Sequence, residues 1–164
     1  MFIIDSLQNA FGVAMLAVLV LGQQGDASDK RQCPEPQAVV DSTYAAGQVW
    51  TYKTRQGESS STLTILRVES LPKVGIIVHL RVDGVHFKNC TGGPSPTTIQ
   101  HSPFTKAAID KSVTHLLRTT QEVPDFESGY RDWMAHCGGV YRIGVAEVVD
   151  VDDRTFNAGL GCNE

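Results

Sequence analysis

The dipeptide Asp83-Gly84 sets the strongest local constraint in this chain. It stands between two alternating runs, residues 76–82 and 85–89. A two-residue hairpin turn needs positive φ at both positions, and Asp-Gly tolerates that. The expected register pairs Val82 with Val85, Arg81 with His86, Leu80 with Phe87 and His79 with Lys88. Ile76, Val78, Leu80, Val82, Val85 and Phe87 then share one face, and His79, Arg81, His86 and Lys88 share the other. One face is apolar and the other cationic.

Further strands are expected on both sides. Residues 48–55 alternate, with Trp50 and Tyr52 on one side and Lys53 and Arg55 on the other. Residues 61–69 are rich in β-branched side chains. Leu63 and Ile65 there share one parity and Leu66 and Val68 the other, which predicts a bulge near Ile65 and Leu66 or burial on both faces. Pro34 and Pro36 make residues 28–46 an extended lead-in.

Two helices are expected next. Ser102 reads as an N-cap with Pro103 at the first helical position. Phe104, Ala108, Ile109, Val113, Leu116 and Leu117 follow at three- and four-residue steps. A second helix over 126–136 turns Phe126, Tyr130, Trp133 and Cys137 inward, and Gly138-Gly139 ends it. Residues 140–150 read as a last strand, and residues 152–164 as a turn-like tail. The order strands, two helices, strand predicts an α+β fold: an antiparallel sheet of about five strands with two helices packed on one face.

Residues 11–21 (FGVAMLAVLVL) form an uncharged apolar run, too short to span a bilayer and long enough for the core of a signal peptide. The small residues Gly25 and Ala27 place cleavage before Ser28. The stretch ahead of the core carries Asp5 and no base, which makes Met15 an alternative start. Residues 1–27 are thus expected to be a signal peptide and 28–164 a single domain, periplasmic or secreted, with no stable membrane insertion after cleavage. The cysteines agree with export. Cys33, Cys90, Cys137 and Cys162 are even in number and form no C-x-x-C pair. Of the three possible pairings, Cys33–Cys162 with Cys90–Cys137 is favoured.

The chain's 14 Lys and Arg face 18 Asp and Glu, and that balance argues against nucleic acid as a partner. The leading functional expectation is a non-enzymatic binding domain that recognises a protein or an anionic ligand through His79, Arg81, His86 and Lys88. Arg81 and Lys88 beside the histidines would repel a metal ion, so no metal site and no cofactor is expected. The competing expectation is a small hydrolase using His101, with Ser102 or a distant carboxylate, at a helix N-terminus. A structural module of the cell envelope is the third. Asp150, Asp152, Asp153 and Asn157 lack the spacing of a calcium loop and read as a solvated turn. His136 with Cys137 is the pair to watch only if Cys137 is not oxidised. Trp50, Tyr52, Tyr130 and Trp133 read as core.

The segments Gly47-Gln48-Val49-Trp50-Thr51-Tyr52-Lys53-Thr54-Arg55, Ile77-Val78-His79-Leu80-Arg81-Val82-Asp83-Gly84 and His101-Ser102-Pro103-Phe104 resemble a group of uncharacterised bacterial exported proteins. The resemblance covers about residues 47–150. It implies a bacterial, exported protein and brings no activity, cofactor or catalytic residue.

Overall fold

A computed structural model describes residues 33–162; the expected signal peptide and its cleavage point lie outside them. The elements run β1 (Gln37–Ala38), β2 (Gln48–Tyr52), β3 (Thr62–Leu71), β4 (Gly75–Asp83), β5 (Thr98–Thr105), α1 (Lys106–Ser112), β6 (Val113–Thr119), α2 (Glu127–Ala135) and α3 (Val145–Gly159). The strands form one antiparallel sheet in the order β5-β4-β3-β2-β6. The short β1 pairs with the far end of β3, beyond β2. The fold is α+β, with six strands and three helices among the described residues.

The expected bulge is present. Pairing of β3 with β4 steps from Ile65↔Leu80 to Arg67↔His79, leaving Leu66 as the extra residue. The change of phase lets Leu63, Ile65 and Val68 all join one core. There they meet Val78, Leu80 and Val82 of β4, Phe104 of β5, Ala108 and Ile109 of α1, and Val145, Val148 and Val149 of α3. A smaller cluster of Leu71, Ile77 and Trp133 gathers Val74, Tyr130, Met134 and Val140 around it. Ile77 and Val78 are strand neighbours and point to opposite sides. The helices are therefore not all on one face: α1 and α3 cover one side of the sheet, and α2 covers the other.

Three local expectations are overturned. Asp83-Gly84 does turn the chain, with Gly84 at φ 75°, but residues 85–89 do not return as a strand. The free edge of β4 pairs instead with β5, from Asp83↔Thr98 to Ile77↔Thr105. The backbone of 86–88 is held by distant side chains. Glu58 accepts from His86 N–H and Arg55 donates to His86 C=O, while Asp153 accepts from Lys88 N–H and Asn157 donates to Lys88 C=O. With those groups satisfied, the segment needs no strand partner. Val85 and Phe87 still reach the main core.

Pro103 lies in β5 and starts no helix. Ser102 is buried in that strand, and Thr105 caps α1 by accepting from Ala108 N–H. The apolar repeat that looked like one helix divides into the end of β5, the seven-residue α1, and β6, whose Leu116 and Leu117 are exposed. Residues 145–159, expected as strand and tail, are helical. Val145, Val148 and Val149 follow the helical step into the core. Glu147 accepts from Gly144 N–H, and Ser112 Oγ accepts from Val145 N–H, so two donors at the helix start are satisfied.

All four cysteines are paired, in a pattern different from the favoured one: Cys33 with Cys137 and Cys90 with Cys162. Cys137 leaves the end of α2 toward the lead-in of the chain. Cys90 follows the side-chain-held segment and is tied to the residues just after α3.

Candidate functional site

The four residues expected to form a cationic hairpin face do not form one. His79 is fully buried. Arg81 donates to Asp83 and to Gln100. His86 and Lys88 lie beyond the end of β4, beside α3, and line a different cavity. His79 is withdrawn from solvent because α2 covers that side of the sheet, and His86 and Lys88 leave the face because residues 85–89 form no strand.

His79 instead joins His101, across β4 and β5. In this register His79 lies opposite Pro103 and Arg67, so His101 on β5 and Glu69 on β3 are its diagonal neighbours. His79 Nδ1 is 2.9 Å from His101 Nε2. On its other side, His79 Nε2 is 3.3 Å from Glu69 Oε2, a close approach that makes no hydrogen bond. Tyr130 of α2 donates to both Glu69 oxygens at 2.9 and 3.0 Å. Arg67 Nη1 approaches Glu69 Oε1 at 3.3 Å, with its guanidinium 4.6 Å from the Tyr130 ring centre. Trp133 sets its ring edge-on to His79 at 4.7 Å, and Phe126 stacks beside His101 at 6.1 Å. Three strands and one helix thus place a carboxylate and two imidazoles in a row.

A glycine makes room for the row. Gly129 sits inside α2, where glycine costs roughly 1 kcal/mol relative to alanine. A Cβ there would lie 2.9 Å from His101 Cβ. His101 lines a depression of about 330 Å³ with Gly129, Asp132, Trp133, Tyr141 and Asp152. Burial raises the carboxyl of Asp152 above its ordinary value.

Burial also decides the charge state of the pair. It pushes His79 down to about 3, with the neighbouring His101 and Arg67 adding to the fall. Burial alone lowers His101. Glu69 would favour a charged His79, but its oxygens are already engaged by Tyr130 and Arg67. Both imidazoles are therefore neutral near pH 7. The tautomers are inferred from the contacts: Nε2–H of His79 faces the carboxylate, its Nδ1 accepts from His101 Nε2–H, and His101 Nδ1 keeps a free lone pair.

The sign of the pH effect follows. The unfolded chain protonates His79 near 6.5, whereas the native state resists until about 3. Stability is complete above 6.5 and is lost as pH falls through that window, by up to about 5 kcal/mol. Urea unfolding between pH 7 and 4 should lose stability more steeply in wild type than in His79→Leu. Equal slopes would assign the acid sensitivity to other groups.

The remaining candidates are placed as follows. Ser102 follows His101 on the strand and so has the opposite side-chain parity; it is buried, yet it lines the same depression at the sheet edge. Asp150, Asp153 and Asn157 are on α3 and bind Arg55 or one another. Cys137, next to His136, is in a disulfide. Trp133 and Tyr52 are buried, while Trp50 and Tyr130 are partly so. Glu69 and Gly129 are absent from the sequence-derived candidates, and Tyr130 appears among them as a core aromatic. The only local signal was a glycine inside a helical pattern. Comparison with protein-family models, with curated proteins and with solved structures finds no match for the chain.

Proposed function

We propose that this is an exported bacterial protein that uses His101 as a general acid–base, in a hydrolysis with water as the nucleophile. The observation that carries the proposal is the free Nδ1 of His101. It stands at the open end of the Glu69–His79–His101 row, beside a depression of about 330 Å³. In the reaction, Nδ1 takes a proton from water as the oxygen attacks the substrate, and returns it to the leaving group. The imidazolium so formed keeps its Nε2–H on His79 Nδ1. His79 orients that ring, and Glu69 faces the inner end of the row. Asp132 and Asp152 give the rim acidic and polar contacts for a small substrate.

Export is supported by the two disulfides, which persist in oxidising compartments. The resemblance to exported bacterial proteins agrees, and two of its three segments supply His79 and His101.

The expected result for His101→Ala is a loss of turnover of a small chromogenic ester such as p-nitrophenyl acetate by a factor of about 10² or more, with the melting temperature little changed. Gly129→Ala, which displaces the His101 ring, should also lower turnover. Carbethoxylation mapped by mass spectrometry should modify His101 and spare His79. Wild-type turnover no faster than that of His101→Ala, together with an unreactive His101, would remove the proposal.

A further inference from the structure

The depression of about 330 Å³ beside His101 carries a charge that the acid–base role of that ring does not use. Among the described residues its lining holds two carboxylates, Asp132 and Asp152, and no Lys or Arg. Asp132 is exposed and has His136 Nδ1 at 3.5 Å. Asp152 is different. It is half-buried on α3, and its carboxylate makes no hydrogen bond or ion pair among the described residues. Burial holds its carboxyl above the ordinary value. Burial first, then the charge of Asp152, raises the Tyr141 hydroxyl, which places the two groups close together. Tyr141 runs along the outer edge of β5, and its hydroxyl makes no hydrogen bond there either.

Ser102 supplies an independent sign. It is 4% exposed, and its hydroxyl makes no hydrogen bond among the described residues. The one polar side-chain atom sealed from solvent without a partner among those residues is His79 Nε2. The Ser102 hydroxyl therefore opens onto the depression that it lines. A buried hydroxyl, a phenol and a carboxylate are left without partners at one wall, where such groups are ordinarily bonded.

We infer that the substrate taken at His101 is a small organic cation, an ester or thioester that carries an ammonium group. The reaction rests on the acid–base reading of His101; the charge preference rests on Asp152. The ammonium group sits at Asp152, with the Tyr141 and Ser102 oxygens around it, and the scissile carbonyl lies toward His101. The rings of Trp133 and Tyr141 suit a weakly hydrated cation. An anion would meet an unpaired carboxylate and no base. A bare metal ion fits less well, because among the described residues no three His, Cys, Asp or Glu side chains converge as its ligands. The volume stands at the lower end of small-molecule sites, which limits the substrate to a compact one.

The test compares acetylthiocholine with its uncharged isostere, in which carbon replaces the nitrogen. Each reaction consumes one water, breaks the acyl C–S bond and releases acetate and a thiol. The cation should exceed the isostere by about tenfold in kcat/KM at low ionic strength, and the ratio should shrink as salt is added. Asp152→Asn should bring the two esters level. Calorimetric titration with choline, which offers no bond to hydrolyse, reads binding alone, and Asp152→Asn should weaken it by about tenfold. Equal kcat/KM for the two esters in wild type would overturn the inference and leave the acid–base reading standing. Choline binding that depends on Asp152, with neither ester hydrolysed, would support the cation site and remove the hydrolytic role of His101. Absence of both binding and hydrolysis would remove both.

Discussion

Arg55→Ala should lower the free energy of unfolding at pH 7 by about 3–5 kcal/mol. Few exposed-looking loop arginines have such an effect, and the reason lies in what it leaves behind. Arg55 reaches Glu58, Asp153, Asp150 and the carbonyl of His86. Glu58 is 3% exposed and Asp153 is 7% exposed. Without the guanidinium, two nearly buried carboxylates lose their counter-charge, and the segment that carries Val85 and Phe87 loses one of its anchors. Burial alone would raise the Glu58 carboxyl, but the bonds from Arg55 and from His86 N–H outweigh it and hold the group below its ordinary value. That contribution is present in full above the unfolded carboxylate value, near 4.3, and is lost as pH falls from there through the lower folded value. Arg55→Lys should recover less than half of the loss, since one ammonium cannot replace a fork that serves three carboxylates. Urea unfolding of the three proteins decides the matter. A loss under about 1 kcal/mol for Arg55→Ala would mean that water reaches these carboxylates and replaces the clasp.

Removal of either disulfide is the second large effect. Cys33–Cys137 spans 104 residues and Cys90–Cys162 spans 72. In the chain-entropy view each closure is worth about 4–5 kcal/mol, acting through the unfolded state. Cys33→Ala with Cys137→Ala, and Cys90→Ala with Cys162→Ala, should each show that order of loss in chemical unfolding. Unfolding midpoints that match wild type would show that the cross-links add nothing to the noncovalent core. The same protein, made in an exporting host, should have an intact mass that starts at Ser28 and lacks about four hydrogens relative to the reduced chain, which tests export directly.

The parts of this fold legible in the sequence are those decided within a few residues. Alternation found β2, β3 and β4, the parity change at Leu66 found the bulge, and the spacing of Phe126, Tyr130 and Trp133 found α2. The failures all involve partners far away in the chain. Asp83-Gly84 is a good hairpin turn in isolation, yet the backbone of residues 86–88 is claimed by side chains at 55, 58, 153 and 157. The segment 140–150 has strong β propensity, but Val145, Val148 and Val149 fit a helix whose start is fixed by Ser112, 33 residues upstream. His79 showed a similar weakness. Its polar parity placed it on an outer face, but Ile77 shares that parity and is buried. An apolar residue beside a histidine on the supposed solvent side was the available hint that both faces are covered. His101 was identified for its chemistry but set on the wrong element, because Ser-Pro resembles a helix start until β4 offers its edge to the strand.

The order of the four cysteines bears on how the molecule is made. In sequence the bridges interleave: the first cysteine joins the third, and the second joins the fourth. A chain that emerges from its N-terminus presents Cys33 and Cys90 to oxidant before either proper partner exists. The first ring available to it is therefore absent from the finished molecule. Where that ring closes, a thiolate must reopen it and pass the bond onward, a reaction set by exchange chemistry rather than by the supply of oxidant. Refolding of the reduced chain in a glutathione buffer that lets bonds trade partners should therefore give more native protein than oxidation that seals thiols at once.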